Sequence, residues 1–221
     1  MVSFKKIVKK IAKYLGISVL VILVVGASSL ALYRYLARKK IAESRAIHAP
    51  DGIEVLEPVT IGGIQQWIEI RGESVKNPIL LFIHGGPGSA SIPIARGFQG
   101  PWEKYFTVVQ WDQRGAGKTY SQNSKEVQRA TMNMERMQED TLEVVNYLRR
   151  RFQRDKIFVL GHSWGSVLGL QLAHYHPDLL YAYVGVGQAT SAWKNEDVLY
   201  RDTEIRWSKR GEPGTKRPFS N

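Results

Sequence analysis

The sequence contains no cysteine. A disulfide framework, a thiolate zinc site and a cysteine nucleophile are therefore excluded, while the redox compartment stays open. Histidine is scarce, with five in 221 residues. No internal repeat or low-complexity tract is present. With 43% hydrophobic and 23% charged residues, disorder and collagen-like structure are excluded as the main theme. The length allows one domain of ordinary size, with or without an appendage.

Acid is almost missing from one end. Residues 1–45 hold ten Lys or Arg against Glu43 alone, which is +9 of the total +11. The remaining residues hold 21 bases against 19 acids, which is +2. The basic excess is local, so no nucleic-acid face over the whole protein, and no nucleic-acid partner, is expected.

The local explanation is a membrane segment. From Leu15 to Tyr33 the chain runs for 19 residues without a charge, near the roughly 20 needed to cross hydrocarbon. Lysines precede it, Arg34, Arg38, Lys39 and Lys40 follow it, and Tyr14, Tyr33 and Tyr35 stand at its edges, where amphipathic rings favour the interface. The expected organisation is a basic leader (1–14), a transmembrane signal anchor (15–36) and a linker (37–58). A cleaved signal peptide is the competing reading, since Ala27-Ser28-Ser29 offers small residues for a peptidase. The apolar run continues past that site and a basic cluster follows, which favours the anchor. A buried core helix fits poorly, because the segment is apolar all round. The basic flanks are nearly balanced; a single-pass membrane protein with an extracytoplasmic domain is the expectation.

From Val59 the pattern becomes periodic. Val59–Ile61 and Gln65–Arg71, split by Gly62-Gly63, predict a β-hairpin. Ile79–Ile83, Phe106–Trp111, Lys156–Leu160 and Tyr181–Val186 are apolar runs of the kind buried on both sheet faces. Met134–Phe152 and Ser166–Tyr175 have helical spacing, and Glu196–Trp207 is a shorter amphipathic candidate. Strands alternating with helices predict an α/β fold with a mostly parallel sheet covered on both faces.

Three motifs carry chemistry. Gly161-His162-Ser163-Trp164-Gly165 follows a predicted strand and opens a helix, the context a G-x-S-x-G nucleophile turn requires. Such a turn pushes the serine hydroxyl out at the carboxyl end of the sheet and aims helix N–H groups at a developing anion. His84-Gly85-Gly86-Pro87-Gly88 follows ILLFI. Acyl transfer needs two preorganised donors for its oxyanion; the N–H groups of Gly86 and Trp164 are the candidates. His84 reads as a structural hydrogen-bonding residue rather than a base, and His84, Gly85 and Trp164 as residues beside the substrate. Trp111–Thr119 (WDQRGAGKT) ends like a phosphate-binding loop, but the glycine required five residues before Gly117 is Asp112. Asp112 and Arg114 are expected to brace this loop. No metal or cofactor is implied.

In this order and spacing the three motifs resemble the α/β-hydrolase superfamily, and within it the proline iminopeptidase (prolyl aminopeptidase) group, over about residues 55–190. The resemblance implies a serine hydrolase that removes N-terminal residues, often proline, from small peptides. It implies that Ser163 is the nucleophile, that Gly86 and Trp164 supply the oxyanion hole, that residues 59–190 are the N-terminal part of the hydrolase core, and that residues 191–221 begin a cap. An esterase or lipase acting on a small ester is the alternative substrate class. The group's order is Ser, then Asp or Glu, then His. After Ser163 the remaining histidines are His174 and His176, about 16–20 Å along the predicted helix at about 1.5 Å per residue. His162 is expected to point elsewhere. The expectation is a chain that is C-terminally incomplete in the cap and lacks the triad Asp and His; a catalytically inactive membrane-anchored relative is the further alternative.

Overall fold

The computed structural model describes residues 4–189. The expected cap (191–221) and its helix Glu196–Trp207 lie outside the described residues. The chain divides into two units, Met1–Ala46 and Ile47–Asn221.

The first unit is the helix α1, Phe4–Ser44, unbroken over 41 residues. Its apolar window has a mean hydropathy of 2.5 and is exposed throughout. At about 1.5 Å per residue it is roughly 60 Å long, twice the hydrocarbon thickness of a bilayer. It is long and apolar enough to cross a membrane.

The second unit is built on a six-stranded sheet. Its strands are β1 (Ile53–Ile61), β2 (Ile64–Gly72), β3 (Ile79–Ile83), β4 (Thr107–Asp112), β5 (Ile157–His162) and β6 (Leu180–Val186). Their spatial order is β1-β2-β4-β3-β5-β6. β1 pairs antiparallel with β2, and β2 with β4. The other three pairings are parallel, so the sheet is mixed with a parallel half. Between the strands run the short helices α2 (Ile92–Ala95), α3 (Gly100–Glu103), α4 (Gly117–Gln122) and α5 (Lys125–Ala130), and the longer α6 (Met134–Phe152) and α7 (Trp164–Tyr175).

The hairpin forms at Gly62-Gly63, both at positive φ, as a two-residue turn matched to strand twist requires. β1 begins at Ile53, inside the stretch expected as a linker. Pro58 prompted that expectation, yet β1 is an edge strand, where a missing N–H costs no ladder bond. Its residues alternate between partly buried and exposed along IEVLEPVT. β3 and β4 are buried at every residue.

α6 has the bounds its spacing predicts. Asn133 caps it by accepting the Arg136 N–H (2.8 Å), and Arg149, Arg150 and Arg151 occupy its last turn, favourable against the helix dipole. Val144, Val145 and Leu148 are fully buried on its inner face, each contributing about 1.5–3 kcal/mol by burial. The core joins them to Ile68, Ile70, Leu81, Ile83, Val109, Trp111 and Val159.

Candidate active site

The site forms at the carboxyl ends of β3 and β5, where open α/β sheets bind ligands. Between β5 and α7 the chain reverses at Ser163, whose φ of 51° and ψ of −118° lie outside the regions L-residues favour, a strain held by its surroundings. Two glycines permit the turn. A Cβ on Gly165 would come within 2.7 Å of the His84 carbonyl oxygen, and one on Gly161 within 2.8 Å of Ser166 Cα. The start of α7 therefore presses directly on the end of β3.

Hydrogen bonds fix the turn. Ser163 N–H donates to the Val186 carbonyl (2.8 Å), tying the elbow to the end of β6. Ser166 is fully buried; its hydroxyl donates to the Ser163 carbonyl (2.6 Å) and accepts the Ala189 N–H (3.0 Å). The Tyr183 hydroxyl donates to the Ser166 carbonyl (2.8 Å). The Ser163 hydroxyl does not cap α7, which leaves it available to a reactant.

The 84–88 loop lies against this elbow. A Cβ on Gly85 would stand 3.1 Å from Ser163 Cβ. Gly86 has a φ of 120°, and a Cβ there would fall 2.6 Å from the Gly88 nitrogen; only glycine fits. His84 is buried. Its Nδ1–H donates to the Gly85 carbonyl (2.8 Å), its Nε2 accepts the Gln113 N–H (3.3 Å), and its own carbonyl accepts from Gln113 Nε2 (2.9 Å). One ring nitrogen donating and the other accepting makes a neutral imidazole. Burial pulls its pKa below the ordinary 6.5. His84 thus stitches two loops together.

Ser163, His84, Gly85, Gly86 and His162 line one open cavity of about 560 Å³. Phe82, Ile94 and Phe98 give it an apolar wall, and Ser89, Ala90 and Ser91 complete it. His162, expected to point elsewhere, lines this cavity because β5 ends there with its side chain outward. Trp164 does not line it: its side chain packs against the hydrophobic core. Its backbone N–H, at the first position of α7, lacks an intrahelical acceptor. His174 packs edge-on against Tyr175 and His176 caps the far end of α7, so neither approaches Ser163.

The 112–119 loop is braced. Arg114 pairs with Asp140 of α6 (Nε to Oδ2, 2.9 Å) and donates to the Gly62 carbonyl (2.9 Å) and Thr131 (2.9 Å). Asp140 also accepts from Gln66 (2.8 Å) and Arg136 (2.8 Å). Asp112 Oδ2 accepts the Lys118 N–H (2.8 Å), and burial raises the Asp112 pKa. The Lys118 ammonium lies over the Trp67 ring, 4.3 Å from its centre. A loop whose amide and lysine are engaged in this way is not shaped as a phosphate cradle. Among the described residues no group of three His, Asp or Glu gathers as a metal-ligand set.

The places of Ser91 on the cavity wall and of Ser166 beneath the turn were not visible in the sequence. Ser91 lies in an aperiodic stretch, and the Ser166 contacts join segments 23 residues apart.

Comparison with known proteins agrees with this geometry. Residues 78–210 match the family model described as alpha/beta hydrolase fold. A probable aminopeptidase, YbaC of Bacillus subtilis (strain 168), is 40% identical over 159 residues, covering 72% of this chain and 49% of the relative. The proline iminopeptidase of Arabidopsis thaliana is 30% identical over 174 residues, covering 76% of this chain and 39% of the relative. The chain thus spans half or less of the length of these relatives. Among solved structures, a proline iminopeptidase-related protein from Thermus thermophilus superposes with a TM-score of 0.50 at 26% identity, covering 60% of this chain and 44% of that one. An epoxide hydrolase from Vigna radiata, 20% identical with a TM-score of 0.50 over 75% of this chain and 49% of that one, shares the fold. The strand order, the strained serine turn and the matched residues lead to one assignment: the chain belongs to the α/β-hydrolase fold family.

Proposed function

We propose that this protein is a serine hydrolase of the prolyl-aminopeptidase type, held at a membrane by α1. The observation that carries the reading is Ser163, strained at φ 51° and facing the 84–88 loop across a cavity open to a small substrate. Ser163 Oγ attacks the carbonyl carbon of the substrate's N-terminal residue, at the peptide bond to the second residue. The N–H groups of Gly86 and Trp164 hold the tetrahedral oxyanion, a contribution worth about 2.7–4 kcal/mol for one donor. The amine leaves with a proton, and water releases the acyl group from Ser163. A base must take the Ser163 proton; among the described residues no side chain hydrogen-bonds its hydroxyl, and residues 190–221 lie outside them. The peptidase names of the relatives favour a peptide over an ester. α1, basic at both ends, serves as a single-pass anchor with the hydrolase unit extracytoplasmic, which protease accessibility of intact cells would test.

Labelling with a fluorophosphonate probe tests the reading, with Ser163→Ala as control. Labelling lost in the variant supports an activated Ser163. No labelling of folded protein overturns catalysis by this chain and favours a binding role for the scaffold. Comparing kcat/KM for a prolyl amide and a short acyl ester then separates peptidase from esterase.

A further inference from the structure

A row of hydrogen bonds runs through the core behind the cavity, and its polarity is fixed. It starts at Glu103, whose carboxylate can only accept and which is paired with the buried Arg71 (2.8 Å). Gln99 Nε2 donates to Glu103 (2.8 Å), so the Gln99 carbonyl oxygen faces the other way. It accepts from Gln110 Nε2 (2.9 Å), which turns the Gln110 oxygen toward Ser91. The Ser91 hydroxyl, 2.6 Å away, must donate to it. Gln99 and Gln110 are fully buried, so neither amide can flip without stranding its neighbours. Ser91 stands at the N-cap of α2, yet its side chain does not cap that helix. The proton on its hydroxyl oxygen is committed inward, and Ser91, itself 6% exposed, is among the residues lining the cavity that Ser163 also lines. Donation along a chain ending on a carboxylate strengthens that oxygen as an acceptor.

We infer that Ser91 is a specificity residue that accepts a hydrogen bond from the free amino group of the substrate, beside the apolar wall of Phe82, Ile94 and Phe98. The inference rests on the aminopeptidase reading and adds the residue that would distinguish an aminoacyl group from a plain acyl group. A hydroxyl free to rotate would serve donors and acceptors alike; one held by Gln110 serves donors.

The test is binding by the full chain in detergent micelles, read by calorimetric titration with prolinamide and with its carbon isostere cyclopentanecarboxamide. A hydrogen bond to a charged donor predicts that the wild type prefers prolinamide roughly tenfold or more. Ser91→Ala should reduce the preference to less than about threefold, and Ser91→Thr, which keeps the hydroxyl, should retain it. An equal preference in wild type and Ser91→Ala overturns the inference, as does a wild type that does not discriminate or binds neither compound. Should Ser91→Ala not fold, Ser91→Gly, which also lacks the hydroxyl, takes its place with the same expected loss. Fluorophosphonate labelling of wild type and Ser91→Ala separates the two readings: labelling kept in both without amine preference leaves the hydrolase standing and removes Ser91, and no labelling with amine preference does the reverse.

Discussion

β4 and β6 are apolar runs of one sheet in opposite surroundings. Every residue of β4 is buried. In β6 only Leu180 is, while Tyr181, Val184 and Val186 are 58%, 49% and 44% exposed. β4 has β2 on one edge and β3 on the other. Among the described residues β6 pairs with β5 alone. An apolar strand thus encodes a demand for cover, and its neighbours decide whether the demand is met. The two halves should therefore answer mutation differently.

The largest effect is expected on the covered half. Asp140→Ala would leave Arg114, a side chain with 0% exposure, as an uncompensated buried charge, costing about 3–5 kcal/mol. Urea denaturation in detergent measures it; a loss below about 1 kcal/mol would mean that water reaches the pair. Gly165→Ala comes next, at the seam between β3 and α7. Overpacking against the Ile83 and His84 backbone should cost about 1–3 kcal/mol and abolish probe labelling at Ser163. Full labelling in a stable variant would break the link drawn between that seam and the elbow.

The third prediction concerns pH. The folded pKa of His84 lies below the ordinary 6.5, so as pH falls the unfolded chain takes the proton first. Its contribution is complete above about 6.5 and is lost as pH drops toward the folded pKa, by at most about 1.4 kcal/mol per pH unit. His84→Gln should show a flatter stability profile between pH 7 and 5; an unchanged slope would place the titration elsewhere. The smallest stability effect is expected in β6, which is largely exposed among the described residues. Val184→Lys should change stability by no more than about 0.5 kcal/mol, while light scattering shows less self-association, because a charge blunts an open apolar edge. A loss of several kcal/mol would mean that Val184 is covered in the working protein.

The same contrast explains what was legible in the sequence. β3 could be read because burial on both faces leaves an unbroken apolar run, β5 because its half-buried face is apolar too, and α6 because it carries its own cap and basic end. β6 read just as clearly, although its run does not report its exposure. The first six residues of β1 escaped because Pro58, with Glu54 and Glu57, looks like a linker until the strand is seen to be an edge. α7 begins two residues earlier than its spacing suggests, since the glycines of the turn hide its first residues. At the site, Ser163 and the 84–88 loop were legible because local backbone geometry demands those residue types. The Arg114–Asp140 pair and the Ser91 row were not, since each joins positions brought together only by the finished sheet.

The ties around Ser166 give the elbow a mechanical character. The chain leaving β6 is fastened through the Ala189 N–H to the Ser166 hydroxyl, and through that hydroxyl to the carbonyl of Ser163. Tension applied beyond residue 189 would load the Ser163 peptide as well as the end of β6. Residue 163 is thus a strain gauge for whatever the chain does next.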